Sequence, residues 1–121
     1  MKKDNIVQKK SYVFALRIIK LYKFLKSENN EYDLSRQILK SGTSIGANIE
    51  EAIGAQSKKD FISKLSIAYK EARETHYWIR LLRDSNYIDS NQAVSLLDDC
   101  IELQKIIGSI QRTMKEGNMN E

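Results

Sequence analysis

The residues of this sequence best suited to chemistry are the basic side chains of its first 26 positions. This segment holds eight lysines and arginines, and Asp4 is its only acidic residue. Lysine and arginine bind nucleic acids by neutralising phosphates and releasing counterions. The candidate phosphate contacts are Lys9, Lys10, Arg17, Lys20 and Lys23. The alternative interpretation is an ordinary solvated helix face.

A second basic line lies near the middle of the chain. Lys70, Arg73 and Arg80 fall on one side of a predicted helix, together with Tyr77. An aromatic ring beside cations can stack on an unpaired base. These three basic residues are therefore further candidate phosphate contacts, and here too a solvated face is the alternative.

Catalytic and metal chemistry find little support. Di-metal helix bundles use Glu-x-x-His pairs, whereas Glu74 and His76 are only two positions apart. One cysteine and one histidine exclude an internal disulfide and the usual four-ligand zinc site. We therefore predict no enzymatic activity, no metal and no cofactor; the alternative is a metal-dependent enzyme that uses Glu51 and Glu74 to bind a divalent ion. Cys100 lies on an apolar stripe, where a buried and inert thiol is expected.

The spacing of apolar residues indicates the elements that position these side chains. Steps of three and four predict helices over about 11–27, 33–55, 58–84 and 89–115. Asp33, Ser57 and Asp89 are the predicted N-terminal caps. The predicted core consists of Phe14, Ile18, Leu21, Leu25, Leu34, Ile38, Ile45, Ile49, Ala52, Ile53, Phe61, Leu65, Ala68, Ala72, Thr75, Ile79, Leu82, Leu96, Cys100, Leu103, Ile107, Ile110 and Met114.

Short polar loops between successive helices predict an all-α fold, an antiparallel up-down-up-down four-helix bundle with residues 1–121 in one domain. Gly42 and Gly46 are one helical turn apart, which predicts a close approach of another helix. No stretch approaches eighteen apolar residues, and the N-terminus is too polar for a signal peptide. The expected location is cytoplasmic, with no membrane partner.

Several apolar side chains are left outside the predicted core stripes. Ile67, Trp78 and Leu81 of the third helix form a second strip, and Val94, Leu97 and Ile101 do so in the fourth. Tryptophan is enriched at the centres of interfaces, so we predict an oligomer interface at Ile67, Trp78 and Leu81. A wide core stripe or scattered surface residues are the alternatives.

Three polar residues lie beside the core stripe of the second helix. Ser44, Asn48 and Glu51 are spaced by four and three positions, so they share one side of that helix. Polar groups so close to a core are costly unless they are hydrogen-bonded. We expect them to bond to one another or to a neighbouring helix, as a structural motif that sets helix register.

Two stretches resemble a known family when they are taken together. They are KSGTSIGANIEEA at 40–52 and SKKDFISKLSIAYKEARETHYWIRLL at 57–82. They are similar to the proteins encoded by intervening sequences of bacterial 23S ribosomal RNA. Two departures are Lys40, where members often have arginine, and Ala52, where they often have glycine. The most specific matches are Ser44, Ile45, Asn48, Ile49, Glu51, Phe61, Ala68, Glu74 and Trp78.

The resemblance implies a four-helix bundle that assembles as a ring-shaped homopentamer with a basic surface, as do the related accessory proteins of diversity-generating retroelements. Nucleic-acid binding is the usual proposal for this family, and no catalytic activity is attached to it. We therefore expect a homo-oligomer, with a pentamer implied, that binds RNA or DNA. The alternative is an assembly scaffold that recruits a protein partner such as a reverse transcriptase.

Overall fold

The computed structural model contains four long helices. They are α1 (Lys2–Asn29), α2 (Asp33–Ile53), α3 (Lys58–Asp84) and α4 (Ser90–Asn120). The structure describes the backbone of residues 2–120 and the side chains of residues 6–117. No strand occurs in the described backbone. The predicted all-α four-helix bundle is confirmed.

The polar residues at the helix ends explain where α3 and α4 begin. Ser57 Oγ accepts a hydrogen bond of 3.0 Å from the Asp60 N–H, as an N-cap should. The Gln92 N–H donates to Asp89 Oδ1 at 2.8 Å, and the Asp89 N–H donates to Gln92 Oε1 at 3.1 Å. This reciprocal pair forms a capping box. The predicted caps at Ser57 and Asp89 are confirmed.

Two predicted helix starts were wrong. α1 begins at Lys2 and not near position 11, because Val7 continues its core stripe by one more heptad and is only 1% exposed. Asp33 does not cap α2 but is its first residue. The Glu31 carboxylate takes the capping role instead, since it accepts hydrogen bonds from the N–H groups of Asp33 at 3.3 Å and Ser35 at 2.8 Å.

The helices follow one another around the bundle, and α4 returns to contact α1. Residue contacts between neighbouring helices show that the two helices run in opposite directions, as an antiparallel bundle requires. Between α2 and α3, for example, Ser41 pairs with Thr75 and Glu51 pairs with Lys64. The contact between α1 and α4 is the least extensive of the four, and α1 and α3 occupy opposite corners.

The core lies along the bundle axis and matches the predicted stripes closely. The predicted core residues of α1 are all buried, and so are those of α3 except Phe61, which is partly exposed. Ile53 is a correction, since it ends α2 and is 44% exposed. Thr75 and Ser41 share a buried hydrogen bond of 2.9 Å, which pairs two polar groups inside the core. None of the described helices is long and apolar enough to cross a membrane.

Candidate nucleic-acid interface

The outer side of α1 carries basic side chains together with exposed apolar ones. Lys9, Lys20 and Lys23 are exposed and make no ion pair with another described residue. Residues 6–26 contain six basic residues and no acidic one, and the two carboxylates of α1, Asp4 and Glu28, lie outside this stretch. This surface has the electrostatic character that phosphate binding needs.

The other two basic candidates of α1 hold α1 against α4. Arg17 Nη1 donates to Asp99 Oδ2 at 2.6 Å, and Arg17 Nη2 donates to Ser95 Oγ at 3.0 Å. Lys10 Nζ lies 3.1 Å from Glu102 Oε1. These four charged side chains remain one third to one half exposed. In the described structure, Arg17 and Lys10 are therefore occupied by carboxylates of the same chain.

A groove follows the loose seam between α1 and α4. It widens into three depressions of about 250, 320 and 220 Å³. The first is lined by Lys9, Lys10, Val13, Asp99, Glu102 and Leu103. The second is lined by Arg17, Lys20, Leu21, Phe24, Gln92 and Leu96. Four of the five basic candidates of α1 thus meet in this groove.

The basic candidates of α3 do not join this surface. Lys70 and Arg73 are exposed, and Arg80 Nε donates to His76 Nδ1 at 3.1 Å. The Arg80 guanidinium also lies over the Tyr77 ring, 5.7 Å from its centroid. Because α1 and α3 occupy opposite corners of the bundle, the eight predicted contacts form two separate surfaces in one chain.

Charge and burial shift two ionisable groups on α3. Burial, with the nearby Arg80 and Arg83, lowers the pKa of His76 below its usual 6.5. Burial and the Glu74 carboxylate raise the pKa of Glu71, which Lys40 and Lys70 partly offset. At neutral pH His76 is therefore an uncharged acceptor for Arg80 and does not add to the positive charge of α3.

The motif on α2 splits into a bonded pair and a separate ion pair. Asn48 is buried, and its Nδ2 donates to the Ser44 carbonyl at 2.9 Å and to Ser44 Oγ at 3.2 Å. Glu51 is exposed and pairs with Lys64 of α3 at 3.5 Å. The Glu51 pair joins α2 to α3, whereas the Ser44–Asn48 bonds lie within α2, and none of these contacts involves α1.

The predicted oligomer interface on α3 is only partly open to solvent. Ile67 is 39% exposed, whereas Trp78 and Leu81 are partly buried. Trp78 packs against the core, with its ring 5.2 Å from that of Tyr77. Its buried Nε1 has no hydrogen-bond partner among the described residues. Of the three, Ile67 alone offers a large exposed apolar side chain.

A larger apolar surface lies on α1 and was not predicted from the sequence. Tyr12 is 64% exposed and Leu16 is 49% exposed. The signal was available, since these residues fall outside the core spacing of Phe14, Ile18 and Leu21. The exposed large apolar side chains of α1 are Ile6, Tyr12, Val13, Leu16 and Phe24.

The groups considered for catalysis lie apart from one another. Cys100 is fully buried, and its Sγ donates to the Ala72 carbonyl at 3.0 Å. Burial, with the Asp99 charge as a smaller cause, raises the pKa of this thiol to about 12. Among the described residues, no group of three or more His, Cys, Asp or Glu side chains could hold a metal ion.

Comparisons with known proteins place this geometry in a family. A comparison with functionally curated proteins found no match. A crystal structure of a protein of unknown function from the S23 ribosomal protein family of Bacteroides thetaiotaomicron is 55% identical. The match has a TM-score of 0.90 and covers 91% of this chain and 98% of the other. The family model described as 23S rRNA-intervening sequence protein matches residues 3–109. This chain therefore belongs to the 23S rRNA-intervening sequence protein family.

Proposed function

We propose that this protein is a non-enzymatic, homo-oligomeric nucleic-acid-binding protein that contacts phosphates through the basic surface of α1. The main observation behind this proposal is that residues 6–26 contain six basic residues and no acidic one. Three of these basic residues are exposed and form no ion pair with another described residue. Phosphate contacts of this kind bind RNA and DNA with little sequence selectivity.

Assembly through α1 would leave its basic residues at the border of the contact, since Lys20 lies one turn from Leu16. A contiguous patch of exposed apolar side chains on a helix is typical of an interface. Tyr12 and Leu16 of α1 are the most suitable contacts between copies, because Trp78 and Leu81 of α3 are already partly buried within the chain. Closed symmetry would repeat the basic residues around a ring, as in the pentamer that the family resemblance implies.

The test is a fluorescence anisotropy titration of the purified protein into labelled structured RNA and labelled single-stranded DNA at several salt concentrations. Log affinity should fall linearly with log salt, by about 0.7 to 0.9 per phosphate neutralised. The variant Lys20→Glu/Lys23→Glu should weaken binding at least about tenfold at low salt, because it reverses two exposed charges.

The matched control makes the same charge change elsewhere. Arg36 of α2 and Lys115 of α4 are exposed and lie outside the groove. The variant Arg36→Glu/Lys115→Glu should lose much less affinity if α1 is the binding surface. Equal losses in the two variants would contradict the assignment to α1, and absence of binding at low salt would contradict nucleic-acid binding itself.

A second candidate function is an assembly scaffold for a protein partner such as a reverse transcriptase. The observation that favours it is the same apolar surface of α1, with Tyr12 64% exposed. Under this alternative, the isolated protein forms its oligomer but binds neither RNA nor DNA at low salt.

A further inference from the structure

We propose that the phosphate backbone of a bound nucleic acid enters the groove between α1 and α4, where it displaces Asp99 and Glu102 from Arg17 and Lys10. This inference rests on the proposed function and names the site and the internal competitors of that function. In the free protein, the carboxylates of Asp99 and Glu102 thus bind the cations that phosphates bind in the complex.

The geometry of Arg17 supports this exchange. Its Nη1 lies 2.6 Å from Asp99 Oδ2, a charge-assisted hydrogen bond of the kind that guanidinium groups also form with phosphate oxygens. A guanidinium carries five N–H donors, and the described contacts of Arg17 use Nη1 and Nη2. An incoming phosphate first bonds to a remaining N–H donor of this side chain, which faces the groove, and then replaces Asp99 at Nη1.

The groove has room for such a ligand beside each ion pair. The depressions next to Lys10 and Arg17 measure about 250 and 320 Å³. A water molecule fills about 30 Å³ of liquid, so each depression accommodates a hydrated phosphate group. Both are open to solvent along the least extensive helix contact of the bundle.

Each depression is lined by two basic side chains. One of them forms an ion pair, and the other forms none among the described residues. Lys9 stands beside Lys10, and Lys20 stands beside Arg17. The unpaired lysine provides the first attraction for a phosphate, and the paired cation is then exchanged. Because both ion pairs are partly exposed, each resists displacement only weakly.

Two neighbouring carboxylates of α4 allow a matched test. Asp98 and Asp99 carry the same charge, but Asp98 is exposed, lies outside the groove and has no ion pair among the described residues. Asp98→Asn and Asp99→Asn therefore change the net charge equally. Only Asp99→Asn releases Arg17 from its ion pair.

The experiment measures the affinity of both variants and the wild type for labelled single-stranded DNA by anisotropy at several salt concentrations. Asp99→Asn should bind up to about fivefold more tightly than Asp98→Asn, the range expected when one exposed ion pair no longer competes. Its salt slope should equal that of Asp98→Asn, because the bound state contains the same phosphate contacts in both variants. Glu102→Gln, which frees Lys10, should act in the same direction and serves if Asp99→Asn does not fold.

The outcomes separate this inference from the proposed function. Equal affinities of Asp98→Asn and Asp99→Asn would overturn the groove assignment while nucleic-acid binding stands. Weaker binding by Asp99→Asn or Glu102→Gln than by Asp98→Asn would overturn the groove assignment as well. Absence of binding by all proteins, including the wild type, would overturn the proposed function together with this inference.

Discussion

Ile18 of α1 occupies the space into which any other residue at Gly42 of α2 would place its Cβ. A Cβ built at Gly42 lies 2.7 Å from Ile18 Cγ1 and 3.2 Å from Ile18 Cβ. One turn further along α2, a Cβ at Gly46 meets the Ser11 carbonyl oxygen at 3.4 Å, which is an ordinary contact. The close approach of α1 and α2 thus depends on Gly42 in particular.

Gly42→Ala and Gly46→Ala should therefore change stability in different directions. Alanine raises helix propensity by about 1 kcal/mol at either position. At Gly42 the clash with Ile18 costs about 1–3 kcal/mol, so we expect a net loss of up to about 2 kcal/mol. Gly46→Ala should be neutral or stabilising by up to about 1 kcal/mol. Urea denaturation measures both, and similar free energies of unfolding for the two variants would contradict this packing.

Much of the fold could be predicted because local chemistry and core packing agree. In α3, Ser57 indicates where the helix begins, and core residues spaced by four and three positions continue to Leu82. The predicted bounds of this helix were therefore correct. The start of α1 was missed because charged residues surround Val7 and weaken the apolar pattern there. The Glu31 cap of α2 was missed because glutamate is not a usual capping residue.

The candidate site was less predictable, since it depends on distances between helices. Residue types identify Arg17 and Lys10 as cations, but only the packing of α1 on α4 pairs them with Asp99 and Glu102. A single-helix pattern likewise cannot show that Lys70 and Arg73 lie on a different corner from Lys20. These facts follow from tertiary structure and not from spacing along one helix.

Cys100 should be protected from thiol reagents in the folded protein. Only the thiolate reacts, and burial raises the pKa of this thiol to about 12, so the thiol remains protonated between pH 7 and pH 9. We expect labelling by Ellman's reagent to be slow across this range and to become fast in urea. Rapid labelling of the native protein at pH 8, at the rate of a free thiol, would show that the α3–α4 contact opens readily.

His76 should make the stability of the protein depend on pH below neutrality. Its pKa is lowered in the folded state, by burial first and then by Arg80 and Arg83. The unfolded chain therefore binds a proton at higher pH than the folded chain does, and stability falls as pH drops below about 6.5. His76→Gln should lose less stability than the wild type between pH 7 and pH 5.

The raised pKa of Glu71 acts in the opposite direction, because it favours protonation of the folded state. Glu71 is present in both proteins, so the difference between them isolates His76. The measurement is urea denaturation at pH 7, 6 and 5. Parallel pH dependences for the wild type and His76→Gln would contradict a lowered pKa in the folded state.

The apolar surface of α1 should control assembly more strongly than that of α3. Leu16 is 49% exposed on α1, and Ile67 is 39% exposed on α3. Leu16→Lys replaces an exposed apolar side chain with a charge that repels the lysines of the same surface, while helix propensity is kept. We expect this variant to dissociate into smaller species by size-exclusion chromatography with light scattering.

Ile67→Lys makes the same replacement at the interface predicted from sequence, and it is a better control than Trp78→Ala because Trp78 also packs against the core. If Ile67→Lys keeps the wild-type mass and Leu16→Lys does not, copies meet through α1. The reverse result would place the interface at Ile67, Trp78 and Leu81.

A monomeric wild type would contradict homo-oligomerisation. The basic residues of a single chain would then have to bind nucleic acid alone. Because the basic residues of α1 and α3 lie on opposite corners, one chain would bind a single strand less tightly than a ring that repeats the α1 surface.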